Sequence, residues 1–138
     1  MRLDTYINYA GNCEQAFRFY EQHLGGRITT MTRHGEQPDQ PGVPQDRMSG
    51  ILHARIEIGN AILMGADVPD AQPMRSAYLT LTVDSDAEAD RLYGVLTADG
   101  QIFMKMQETF FASRFAMFRD GFGTSWMLIH ERAMTQQS

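Results

Sequence analysis

Residues 77–98 read AYLTLTVDSDAEADRLYGVLTA, and this stretch decides the fold. Leu79, Leu81 and Val83 alternate with Tyr78, Thr80 and Thr82, the two-residue period of a strand with one covered face. The period then changes. Ser85 followed by Glu88 has the spacing of a helix-capping box, and Ala89, Leu92, Tyr93 and Leu96 recur at helical spacing. Asp99-Gly100 ends the helix, QIFMKM reads as a strand, and SRFAMFRD and TSWMLIHE read as a strand pair about the turn GFG. The order is βαβββ.

The N-terminal half repeats that order. LDTYINY (3–9) is a strand, Asn12 with Gln15 predicts a second capping box, and CEQAFRFYEQHL is a helix with Ala16, Phe17, Phe19, Tyr20 and Leu24 on one side. Gly25-Gly26 stops it. RITTMTRH and ILHARIEI follow as strands, and Gly59-Asn60 is a hairpin turn into AILMGA. Arg18-Phe19-Tyr20 precedes Arg91-Leu92-Tyr93 by 73 residues, as Ala16 precedes Ala89. An internal duplication follows: one α+β domain over 1–138, with modules over about 3–67 and 77–130. Residues 35–50 are the only long irregular stretch, with three prolines and three glycines.

One helix covers one face of a sheet. The second faces are read here as Thr5, Ile7 and Tyr9, Ile62 and Met64, Tyr78, Thr80 and Thr82, and Met127 and Ile129. These are apolar or weakly polar, so the two curved mixed sheets are expected to close around a cavity. His53, Arg55 and Glu57 alternate onto one face of their strand, with Ile51 beside them. They read either as an acid/base pair, His53 and Glu57, with Arg55 between them, or as an ion network that fixes strand register. Arg55 in the middle disfavours a cation there. Cys13 sits in the first turn of a helix but has no neighbouring histidine as base. His23, His34 and His130 are isolated and read as structural. Asp120 is expected to support the GFG turn, and Asp67 to cap the link between the halves. Phe110 and Phe111 precede a strand as an aromatic rim, and the ten methionines suit an adaptable apolar interior.

The net charge of -5 excludes a nucleic-acid or anionic-membrane surface. A single cysteine permits no internal disulfide and fits a cytoplasmic location. No apolar run is long enough to cross a membrane.

YINYAGNCEQAFRFYEQHLGG, HARIEIGNAILMGAD and QETFFASRFAMFRDGFGTSWM together resemble the glyoxalase/bleomycin-resistance/extradiol-dioxygenase, or vicinal oxygen chelate, superfamily, and within it the PhnB-like branch. The resemblance spans residues 4–130. It implies four cavity-facing positions that hold a divalent metal in the superfamily's enzymes, and here they fall on Thr5, Met64, Tyr78 and Met127. None is a usual ligand, and one-residue slips do not restore a site. The branch's ETFWG/A-like segment has Phe111 in place of tryptophan, and DGFG has Gly121 where proline or lysine is more common; Gly121 should make that turn more permissive. The label 3-demethylubiquinone-9 3-methyltransferase, often carried by this branch, is unsupported, because no glycine-rich strand-to-helix loop for S-adenosylmethionine is present.

The expectation is therefore a metal-independent small-molecule-binding protein with no cofactor. Its ligand is small and apolar or aromatic, held by Arg55, Met64, Tyr78, Phe110, Phe111 and Met127. The alternatives are an enzyme using His53 and Glu57, a metal-dependent lyase or dioxygenase with atypical ligands, and a structural or partner-binding domain. The resemblance also implies a homodimer, over whose partner the 35–50 loop could reach.

Overall fold

The computed structural model describes residues 1–36 and 45–133. The chain divides into two compact units, Met1–Gln72 and Pro73–Ser138. The first contains β1 (Thr5–Tyr9), α1 (Cys13–His23), β2 (Arg27–Arg33), β3 (Ile51–Ile58) and β4 (Ala61–Asp67). The second contains β5 (Leu79–Thr82), α2 (Asp86–Thr97), β6 (Gln101–Gln107), β7 (Ala112–Arg119) and β8 (Ser125–Glu131). Each is βαβββ, as the duplication requires. The sheets run β1-β4-β3-β2 and β5-β8-β7-β6. In each, the first strand pairs with the last in parallel and the other pairings are antiparallel, so both sheets are mixed. Of the irregular stretch, residues 37–44 lie outside the described residues, and its flanks form the 3-10 turns His34–Glu36 and Gln45–Arg47. No described helix is long and apolar enough to cross a membrane.

Helix α1 buries Cys13, Ala16, Phe17 and Tyr20, and its sheet presents the buried Ile7, Tyr9, Ala54, Ile56 and Leu63. Tyr9 meets Phe17 edge to face at 6.0 Å. Gly65 leaves room for this contact, since a Cβ there would lie 3.1 Å from the Phe17 ring and 3.2 Å from that of Tyr9. The placement corrects the expected face of β1. Ile7 and Tyr9 lie under the helix, whereas Tyr6 (50% exposed) and Asn8 face away from it. Of the two rows of β1, the one with Ile7 has more apolar surface to remove from water, so it takes the helix. A second irregularity lies between β2 and β3, where the register steps from Thr32↔His53 to Arg33↔Ile51. This bulge breaks the alternation, and Ile51 is buried rather than sharing the half-exposure of His53. In the second unit α2 buries Ala89, Leu92 and Leu96, and the sheet presents Ala116, Phe118, Trp126 and Leu128.

The two helices start differently. Ser85 caps α2 as expected, accepting from Glu88 N–H at 3.0 Å, while the Glu88 carboxylate is taken by Arg91. Asn12 makes no side-chain cap on α1. Asp67, at the end of β4, accepts from Gly11 N–H (3.1 Å) and Cys13 N–H (3.0 Å) through one carboxylate oxygen and from Ile51 N–H (2.8 Å) through the other. A full charge at these amides outcompetes a neutral amide oxygen. Asp67 thus caps α1 rather than the link between the units. Asp120 supports its turn as expected, accepting from Phe122 N–H and Thr124 N–H, and it also takes the Trp126 indole N–H at 2.8 Å. Gly123, with φ 103°, supplies the left-handed turn residue. Gly121 serves a different need from the one expected: a Cβ there would lie 3.0 Å from Asp99 Cβ.

Two outcomes follow from this packing. At Gly100 an added Cβ would stand 2.1 Å from the Arg119 carbonyl oxygen, so Gly100→Ala should lower unfolding free energy by about 2–3 kcal/mol in urea denaturation. The Arg33 guanidinium, with help from Arg18, holds Glu14 down at about 2, well below its ordinary 4.5. A depressed carboxylate contributes stability above its ordinary value and loses it as pH falls toward the folded one. Wild type and Glu14→Gln should therefore differ at pH 6, and the gap should narrow as pH drops from 4.5 toward 2; a pH-independent gap would refute this.

Candidate functional site

Each sheet has a face its helix does not cover, and register identifies the residues on it. In the first unit one row runs Tyr6–Met64–Arg55–Thr30 across the four strands. His53 lies one step along β3, its ring stacked on Tyr6 with centroids 6.0 Å apart and planes at 25°. Glu57 lies one step the other way and is bound by Arg27 (3.0 Å) and Arg55 (3.8 Å). The three polar residues of β3 share a face, as the alternation implies. His53 and Glu57 are four residues apart along the strand, about 13 Å, so they cannot pass a proton directly between them.

In the second unit the corresponding row is Thr80–Met127–Met117–Met104. Beside it Ile129 pairs with Phe115. Phe115 continues an aromatic series, edge to face with Phe111 at 5.3 Å, which in turn meets Phe110 at 5.1 Å. Phe110 is 89% exposed, at the tip of a turn in which the Thr109 hydroxyl accepts from the amides of Phe111 and Ala112. The pair is thus an aromatic step from the surface onto this face. Tyr78 lies just before β5, in contact with Phe103 at 6.3 Å and accepting from Arg75.

The positions assigned from the superfamily's metal sites do not share a face in the first unit. Thr5 pairs with Leu63, which is buried on the helix side, whereas Met64 pairs with Tyr6. Tyr6 is therefore the β1 residue beside Met64, and it was missed by one place. The cue was present in the sequence, since Tyr6 and Asn8 form the less apolar row of β1. On the helix-free faces, each taken by itself, the set of donors is the Tyr6 phenol and Met64 thioether in the first unit and the Met127 thioether with the Tyr78 and Thr80 hydroxyls in the second. Zinc and the hard divalent cations take imidazole, carboxylate or thiolate, so this set does not fit them. No cluster of three or more His, Cys, Asp or Glu suited to a metal occurs among the described residues.

Two further groups bear on chemistry. Cys13 is fully buried, and burial, then the Asp67 and Glu14 carboxylates, push its thiol up to about 12, which removes it as a nucleophile. His130 is not isolated: its Nδ1 lies 2.8 Å from Asp86 Oδ1 and 2.9 Å from Ser113 Oγ, which donates to the same Asp86 oxygen at 2.5 Å. The bond from Ser113, then that from His130, holds Asp86 below the usual carboxylate range. Serine and aspartate both meet Nδ1, so the ring cannot relay a proton between them as it does when they occupy opposite nitrogens. The cluster fastens the start of α2 to β7 and β8. Nothing in the sequence flags it, because its members are 17 to 44 residues apart.

The model of the Glyoxalase/Bleomycin resistance protein/Dioxygenase superfamily matches residues 2–128. Protein YjdN of Escherichia coli (strain K12) is 34% identical, over 93% of this chain and 94% of its own. The crystal structure of protein PA1353 from Pseudomonas aeruginosa superposes with a TM-score of 0.85 at 37% identity, covering 96% of this chain and 99% of that one. The PhnB protein from Bacillus cereus has a TM-score of 0.79 at 22% identity, covering 94% and 99%, a likeness of fold.

Proposed function

Because the chain belongs to the glyoxalase/bleomycin resistance/dioxygenase superfamily, we propose that it is a metal-independent small-molecule-binding protein whose ligand carries an apolar or aromatic portion. The observation that carries this reading is the helix-free face of the second unit. Three methionines stand side by side across β8, β7 and β6, flanked by Phe115 and Ile129 and reached by the Phe110–Phe111 step. Thioethers and rings hold a ligand by dispersion and adapt to its shape. They provide neither a nucleophile nor a ligand for a hard metal. The first unit's own helix-free face carries a ring pair, Tyr6 and His53, with Met64, and Arg55 stands beside them. His53 acts here as a hydrogen-bonding contact for a ligand rather than as half of an acid/base pair. The exposed Ile102, Met104 and Phe110 suit association of two copies, which sedimentation at several concentrations would detect.

The direct test is a thermal-shift screen of small aromatic and apolar compounds on EDTA-treated protein. Hits should saturate, bind equally well after a divalent metal is restored, and perturb the methyl resonances of Met64, Met117 or Met127. Met127→Ala or Phe111→Ala should weaken a hit about tenfold, the loss of one buried apolar contact. A broad screen without a saturable hit, or binding that requires metal, would sink the reading.

A further inference from the structure

At the edge of the second sheet two arginines lie over one ring. The Arg75 guanidinium is 4.1 Å and that of Arg119 5.3 Å from the centroid of Phe103. Tyr78 closes the group, its ring edge-on to Phe103 and its hydroxyl 3.1 Å from Arg75 Nη1. Arg119 is held by its Nε–H, which donates to the Met74 carbonyl at 2.9 Å, and its Nη1 lies 3.5 Å from Gln101 Oε1.

These two cations differ from most others in the chain. Eight arginines have a carboxylate at ion-pair distance. Neither Arg75 nor Arg119 has one among the described residues, although the chain is acidic overall. Two like charges near a common ring repel each other, and an anion bound to either would relieve that repulsion. Each guanidinium has five N–H donors in a planar fork, and the bonds above engage one on Arg75 and two on Arg119. Arg119 and Gln101, though not Arg75, Phe103 or Tyr78, line an adjoining open depression of about 350 Å³. Two carboxylates line it as well. Asp120 accepts from three donors of its own hairpin, and Asp99 forms no ion pair with either arginine.

We propose that Arg75 and Arg119, with Phe103 and Tyr78, form a binding site for the carboxylate or phosphate group of a small organic anion. The proposal rests on the small-molecule-binding reading and adds a charge to the ligand: its anionic group meets the guanidiniums while its apolar part meets aromatic and methionine side chains.

The test is calorimetric or NMR titration of the full chain with benzoate, phenyl phosphate and the neutral benzamide, at constant ionic strength. Both anions should bind saturably, and benzamide at least tenfold more weakly. Arg75→Gln and Arg119→Gln should each weaken the anions about tenfold and leave benzamide unchanged, as expected for loss of a charge-assisted hydrogen bond. Arg91→Gln, which removes an arginine paired with Glu88, should change nothing. Arg75 is exposed, so its variant carries the test should Arg119→Gln fail to fold. Equal affinity for benzoate and benzamide, anion affinity indifferent to both arginines, or no saturation by either anion would overturn the site. If the anions fail these tests while neutral compounds still bind in the thermal-shift screen, the anion site falls and the broader binding reading stands.

Discussion

One helix can cover only one face of a four-stranded sheet, and most of the structure follows from that. Under α1 the sheet offers Ile7, Tyr9, Ala54, Ile56 and Leu63; under α2 it offers Ala116, Phe118, Trp126 and Leu128. Burying each large side chain contributes roughly 1.5–3 kcal/mol, so in β1 the more apolar row is drawn beneath the helix. A strand has only two rows, and the choice under the helix dictates what remains on the other side. Tyr6, His53 and Met64 in one unit, and Phe115, Met117 and Met127 in the other, are what that choice leaves on each helix-free face.

The two units repeat elements but not fastenings. Helix α2 is capped by its own Ser85, whereas α1 is capped by Asp67 from the far end of the module. Asp67 gathers three amides from β3, α1 and the turn before α1, and Asp120 gathers two amides and an indole within one hairpin. The carboxylates solve the same problem, since buried polar backbone groups must find partners, but they do so at different ends of the repeat. A duplication read from element order alone therefore transfers topology from one half to the other, and not the individual bonds.

That distinction explains what could be read in advance. Alternation and helical spacing are local properties, so the βαβββ order, the glycine breaks and the shared face of His53, Arg55 and Glu57 were all legible. The bulge that turns Ile51 inward is a pairing event between β2 and β3, invisible to alternation in β3 alone. Alternation in β1 defines two rows without ranking them, and Ile7 and Tyr9 outweigh Tyr6 and Asn8 in buried apolar area. The contacts of Asp67, and of Asp86 with Ser113 and His130, join residues far apart in sequence, and a single chain has no local signal for them.

The equivalence that does survive between the units lies on the helix-free faces. Tyr6 pairs with Met64 across the first parallel pairing, and Thr80 pairs with Met127 across the second. A thioether stands at the same place in both sheets, where a carboxylate or imidazole would be needed to hold a divalent metal. A thioether neither carries a charge nor activates water, and it gains affinity only through contact. Cys13 is sealed beneath the helix and protonated, and His53 stands too far along β3 from Glu57 to pass a proton directly to it. What the faces retain is shape, polarisability and, at the rim of the second sheet, two uncompensated guanidiniums. In the proposed reading these features hold a molecule by contact and select it by charge.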